Sequence, residues 1–137
     1  MSTLLLDASA ILAAFDPDDS QQEAAAAVLA DNSTRLMTLD LARYEVANVA
    51  VRSWREPDRV SPLLTVLERV ADDGGVVAST SALVTRAAEL AERHEISVYD
   101  AAYVVAASDG DRRLVSCDER DLVSKGLAVL PADACPS

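Results

Sequence analysis

Glycine, lysine and histidine are scarce in this 137-residue chain, which has four glycines, one lysine (Lys125) and one histidine (His94). With so little glycine and lysine, neither a Walker phosphate cradle nor a GxGxxG dinucleotide fingerprint can be written, which excludes nucleotide cofactors held in that way. A single histidine leaves Ser-His-Asp chemistry and histidine-rich metal sites almost without material, so His94 reads as a polar residue near a helix end. The two cysteines, Cys117 and Cys135, are too few for a disulfide scaffold and lack zinc-site spacing; they read as free thiols in a reducing compartment. Aromatic residues number only five, against 25 Ala, 17 Leu and 16 Val. The core must therefore be built from small aliphatic side chains on closely packed helices, and an apolar content of 50% excludes intrinsic disorder.

Positive charge is also short. Twelve bases face 23 acids, a formal net charge of −11, and eleven of the twelve are arginine. A broad basic surface that grips nucleic acid through its phosphates is excluded, because each phosphate contact needs a local cation. Any such contact has to be local and to come from Arg43, Arg52, Arg55, Arg59, Arg112, Arg113 or Arg120. The first 34 residues hold six acids and no base, so a secretory n-region or an Arg-rich transit peptide is not expected. No uncharged apolar run approaches the ~18 residues of a membrane span. The expectation is a cytoplasmic protein with no membrane contact.

Length predicts one domain, residues 1–137. Leu4 to Leu6 is a continuous apolar run, the pattern of a strand buried on both faces. Further short strands are expected at Leu36–Thr38, Val76–Ala78, Leu114–Cys117 and Leu127–Leu130. Between them the periodicity predicts helices over 8–15, 21–30, 40–54, 61–73, 79–94 and 97–108, with one or two helical turns at 119–125. Ser61 followed by Pro62 reads as an N-cap with proline first in the helix, and Ser97-Val98-Tyr99-Asp100 as a capping box. Tyr99 and Tyr103, four apart, read as a core pair. Strands alternating with helices give an α/β three-layer sandwich around a mainly parallel sheet.

The chemistry lies in carboxylates kept in apolar company. Asp7 follows three leucines and Asp118 follows Leu114-Val115-Ser116-Cys117, so both belong at carboxyl ends of buried strands, where parallel sheets bind ligands. Asp100 is the one charged side chain in an otherwise Ala, Val and Tyr helix and cannot simply face water. On the helix 40–54, Glu45, Asn48 and Arg52 share one narrow polar stripe. Each residue also has a structural reading: Asp7, Asp100 and Asp118 as helix caps, Glu45 as a solvated helix residue. If the four acids converge, each pair ~5 Å apart repels by ~3 kcal/mol at an effective dielectric of 20, so the cluster must bind cations or hold protons. An all-oxygen donor set favours Mg²⁺ or Mn²⁺, and such sites serve phosphodiester hydrolysis.

Four segments in order carry a family resemblance: Leu6-Asp7-Ala8-Ser9, Tyr44-Glu45-Val46-Ala47-Asn48-Val49, Ser97-Val98-Tyr99-Asp100-Ala101-Ala102-Tyr103 and Leu114-Val115-Ser116-Cys117-Asp118. With these the chain resembles the VapC-type toxin ribonucleases of the PIN-domain family. The resemblance implies a metal-dependent endoribonuclease acting on structured RNA, transfer or ribosomal. It implies an acidic pocket in which Asp7, Asp100 and Asp118 bind Mg²⁺ or Mn²⁺ and Glu45 orients or deprotonates water. Ser9, Asn48 and Ser116 would support these carboxylates, with Asp121 a further acid able to share the role of Asp118. The family pattern has Thr at Ser116; serine keeps the hydroxyl. The resemblance also implies a homodimer and a small antitoxin whose Arg-bearing tail lies over the pocket.

Two rival classes remain, the second harder to exclude than the first. A phosphatase or phosphoreceiver domain also puts Asp at strand ends but wants a second acid beside Asp7 or a strand-end lysine, and Lys125 falls in a late turn. A catalytically inactive module of the same fold would keep all four acids for structure.

Overall fold

The computed structural model describes residues 2–134, so Cys135 lies outside the described residues. Four strands, β1 (Thr3–Leu6), β2 (Arg35–Leu39), β3 (Val76–Val77) and β4 (Arg113–Val115), form one sheet in the order β3-β2-β1-β4. Every pairing is parallel. Between and after them run α1 (Ala8–Ala13), α2 (Gln22–Ala30), α3 (Ala42–Asn48), α4 (Val60–Asp73), α5 (Ser81–His94), α6 (Val98–Asp109) and α7 (Pro131–Ala134). Leu4, Leu5 and Leu6 are buried on both faces of the sheet, as their uninterrupted apolar run requires.

The strand order fixes where ligands can sit. From β1 to β2 to β3 the chain steps one way across the sheet, and right-handed crossovers put α1 to α4 on one face. From β3 to β4 it steps back across the whole sheet, so α5 and α6 cover the other face. Accordingly α4 packs on β2, whereas α6 packs on β1 and β4 and against α5. The direction switches between β1 and β4, and the crevice outside their carboxyl ends is where such sheets bind ligands.

The helix that covers this crevice has a small-residue face. Ala101 to Ala107 of α6 are all buried, with Tyr103 the only bulky aromatic among them. Helix α3 does not stop at Asn48: it continues through Val49–Ser53 in wider turns, with the Trp54 amide donating to the Val49 carbonyl at 2.9 Å. The guanidinium of Arg59 stacks on Trp54, 4.2 Å from the ring centroid.

Three expectations are corrected. Ser61 is not an N-cap: a 3₁₀ turn over Pro57–Arg59 runs directly into α4, which begins at Val60 with Arg59 as its cap. Ser61 and Pro62 both fall in the first turn, where the missing proline N–H costs no bond. The strand expected at Leu127–Leu130 shrinks to a single bridge, Val115 to Val129, because Pro131 opens α7 at once. Tyr99 and Tyr103 are not a core pair; Tyr103 is 2% exposed and Tyr99 63%. Tyr99 lies in the first turn of α6, before the buried run Ala101 to Ala107 that carries Tyr103.

Gly74 locks α4 to the sheet. A Cβ there would overlap the Leu36 carbonyl and the Met37 side chain, and next to it the Leu36 amide donates to Asp73 Oδ2 at 2.7 Å. Gly74→Ala is expected to lower unfolding stability by ~1–3 kcal/mol, read as a lower urea midpoint at unchanged m-value; an unchanged midpoint contradicts this packing.

Candidate active site

Asp7 leaves β1 at the switch point, its amide donating to the Val115 carbonyl of β4 at 3.1 Å. Its side chain caps α1: Oδ1 accepts from the Ala10 amide at 3.0 Å and from the Ser9 hydroxyl at 2.6 Å. The residue is only 4% exposed. Burial raises its pKa to about 6, against the pull of the Ser116 and Ser9 hydroxyls and the Ala10 amide, and the Glu45 charge adds to the rise. Ser9 also accepts from the Cys117 amide at 2.9 Å and lies 3.3 Å from the fully buried Ser116 hydroxyl, which accepts from the Asp118 amide at 3.0 Å. Two serines thus stitch the end of β1 to the end of β4 and hold Asp7 and Asp118 in register.

Asp100 and Asp118 each combine a capping environment with a place at this crevice. The Ser97 hydroxyl accepts from the Asp100 amide at 3.0 Å, the first half of the expected capping box. Asp100 is half-buried, and burial followed by the charges of Asp118, Asp7 and Asp121 lifts its pKa to about 6. Asp118 caps the wide turn Glu119–Val123 by accepting from the Asp121 amide at 3.0 Å. That turn brings Asp121 back beside its own cap. One carboxylate oxygen from each of Asp100, Asp118 and Asp121 lies within 4.8 Å of the others.

Glu45 reaches the pocket from α3. Tyr103 donates its hydroxyl to Glu45 Oε1 at 2.6 Å across 58 residues of sequence. Burial raises the Glu45 pKa, with the Asp100 charge adding to the rise and the Tyr103 bond opposing it. Burial and the carboxylates of Glu45 and Asp7 keep the Tyr103 hydroxyl protonated. Tyr103 is thus the anchoring residue that periodicity hides, since its spacing from Tyr99 points only to packing. Asn48 sits exposed one turn beyond Glu45 and makes no side-chain hydrogen bond among the described residues.

The raised proton affinity of Asp7, Glu45 and Asp100 marks a pocket poised to accept a cation, and its donors are all oxygens, which fits a hard divalent ion better than zinc or copper. The thiol of Cys117, free as expected, is pushed by burial up to about 12 and is a poor ligand or nucleophile. Lys125 is turned away, its Nζ donating to the His94 carbonyl at 2.6 Å at the end of α5, which removes the lysine a phosphoreceiver site needs. The arginines divide similarly. Arg59, Arg112 and Arg113 donate to the carbonyls of Phe15, Ala106 and Asp133, and Arg43 pairs with Glu68 at 3.7 Å. Arg52, Arg55 and Arg120 make no such bonds among the described residues.

Comparison with known proteins agrees with this fold. The family described as PIN domain matches residues 4–125. Ribonuclease VapC3 of Pyrobaculum aerophilum is 37% identical over 131 residues, spanning 93% of this chain and 97% of its own. The crystal structure of VapC20 from Mycobacterium tuberculosis, described as a sarcin-ricin loop cleaving toxin, superposes with a TM-score of 0.74 at 18% identity, over 90% of this chain and 95% of that one. A toxin-antitoxin complex from Klebsiella pneumoniae gives a TM-score of 0.67 at 16% identity, over 93% and 97%. With the family match running from the central strand to beyond the last carboxylate, and a relative matched along nearly its whole length, the chain belongs to the PIN-domain family, among its VapC-type members.

Proposed function

We propose that this chain is a divalent-metal-dependent endoribonuclease, the toxin of a toxin-antitoxin pair, that hydrolyses phosphodiester bonds in structured transfer or ribosomal RNA. The carrying observation is the convergence of Asp100, Asp118 and Asp121 oxygens within 4.8 Å at the crevice that also receives buried Asp7. Asp7, Asp100 and Asp118 would hold Mg²⁺, or Mn²⁺ in its stead, with Asp121 as a further ligand. Such an ion, when bound, acidifies water and neutralises charge that builds on the phosphate oxygens.

The chain's own residues supply the rest. Glu45, held by Tyr103 and with its pKa raised, orients a water and takes its proton as the water oxygen bonds to phosphorus and the ester oxygen leaves with the bonding pair. Ser9, through its bond to Asp7, and Ser116, through the Asp118 amide, keep the carboxylates from turning away. Tyr103→Phe leaves the ligands intact but frees Glu45. It is expected to lower kcat for RNA cleavage ~10-fold with little change in Mn²⁺ affinity; unchanged kcat means that Glu45 needs no positioning.

The toxin assignment rests on the names of the relatives, one of which is a toxin-antitoxin complex. A small antitoxin laying an Arg-bearing tail over the pocket suits the acids, since a guanidinium replaces a cation's charge and bonds carboxylates bidentately. A homodimer acting in the cytoplasm completes the reading, and no helix among the described residues is long and apolar enough to cross a membrane. The test is to incubate the purified protein with total cellular RNA and sequence the fragment ends. Cuts at defined positions with Mg²⁺ and none with chelator are expected. Intact RNA under both conditions supports a non-catalytic binding module instead.

A further inference from the structure

Tyr44 and Tyr99 are the most exposed large apolar side chains among the described residues, at 80% and 63%. Both line one open groove of about 570 Å³, together with Glu45, Asn48, Val51 and Arg52. Each tyrosine immediately precedes a pocket acid, Glu45 on α3 and Asp100 on α6. Neighbours in a helix point ~100° apart. Both helices therefore turn a carboxylate inward and a ring onto the rim beside it.

We infer that Tyr44 and Tyr99 form a stacking platform for unpaired RNA bases, holding the substrate strand by its base faces beside the bond to be cut. The inference rests on the proposed ribonuclease reading and names how that site grips its substrate. An acidic enzyme has little positive surface with which to hold a polyanion, and at net −11 the phosphates are repelled almost everywhere. Base faces carry no charge, and aromatic side chains bind them without regard to sequence. Sequence-specific proteins take RNA mostly where bases are unstacked, in loops and bulges, by splaying them onto such rings. The groove supplies the complements. Arg52 has no protein partner among the described residues and is available to a phosphate, Asn48 offers an amide to a base edge, and Val51 gives an apolar wall. The groove shares Glu45 with the acidic pocket, so a strand bound on the rings passes the carboxylates. A protein interface core depletes charged groups, whereas Glu45 and Arg52 line this groove together with the rings.

The test uses a fluorescently labelled, unpaired ten-residue RNA and the same backbone made abasic, with binding read by anisotropy in Ca²⁺ to neutralise the acids. The full chain is expected to bind the RNA with bases at least ~10-fold more tightly than the abasic strand. Tyr44→Ala and Tyr99→Ala should each weaken that binding ~10-fold, the double variant should lose the preference for bases, and Tyr44→Phe and Tyr99→Phe should retain it. Circular dichroism and thermal melts verify that the variants fold, as truncation of two exposed side chains allows. Equal affinity for both strands, or alanine variants that bind like the parent, overturns the platform. So does loss of dimerisation or of partner binding in the variants with RNA affinity unchanged, which makes the groove a protein interface. Failure of the ribonuclease reading looks different: base-dependent, tyrosine-dependent binding without Mg²⁺-dependent cuts in total RNA.

Discussion

Asp7→Asn is expected to abolish RNA cleavage and, in the same molecule, to make the metal-free protein more stable. Asparagine is nearly isosteric and keeps the oxygen that accepts from Ala10 and Ser9, so α1 retains its cap. What it removes is a 4% exposed carboxylate facing other carboxylates, whose charge costs free energy unless a cation answers it. Activity should fall by ~10²–10³ or more, the loss typical when a group that stabilises developing charge is deleted. In chelator at pH 7.5 the variant should gain ~1–3 kcal/mol, the scale of relieving a buried charge. For a chain of this size that is a rise in Tm of several degrees. Loss of activity together with loss of stability would make Asp7 a structural residue.

The second large effect concerns pH and metal together. Asp7 titrates near 6 when folded against an ordinary 3.8, so between those values the folded state binds more protons than the unfolded one. Stability from this group is therefore complete below pH 3.8 and is lost as pH rises through 6, by ~3 kcal/mol in the metal-free protein. Asp100, half-buried and shifted to about 6, and Glu45, raised by burial, act in the same direction. Asp31 and Asp109 are shifted down by Ser33 and Arg86, so their contributions fade only below the ordinary carboxylate range and leave the window from pH 4 to 7 clear. The chelated protein should accordingly melt at a lower temperature at pH 7.5 than at pH 5. Millimolar Mg²⁺ should restore the loss at pH 7.5 and do little at pH 4.5, where protons hold the site. A Tm indifferent to Mg²⁺ at pH 7.5 argues that the acids do not form a cation site.

The parts of this architecture that were legible in the sequence are those decided locally. Three consecutive leucines announce a central strand, Ser97 announces the start of α6, and an acid directly after an apolar run predicts its place at a strand end. The neighbouring positions of Asp7 and Asp118 follow from those ends once the strands are parallel, whereas Asp100 enters from the first turn of α6. What stayed hidden depends on partners distant in the chain or on unusual turns. Tyr103 and Glu45 meet across the crevice, which no periodicity encodes. Asp121 ranks below Asp118 by sequence, yet a turn with its amide bonded to Asp118 folds it into the same cluster; the Asp118-x-x-Asp121 spacing was the available signal. Tyr99 stands in the first turn of α6, before its buried run begins, so its spacing from Tyr103 misled. Leu127–Leu130 has the composition of a strand but lacks the length, since Pro131 follows.

Crystals grown at pH 7.5 in Mn²⁺ and measured at the manganese edge test the central claim most directly. The account predicts an anomalous peak at the carboxyl ends of β1 and β4, with oxygens of Asp7, Asp100 and Asp118 in direct coordination and Asp121 adjoining. A fully exchanged crystal with no peak among these acids, or with manganese bound only elsewhere, would contradict it.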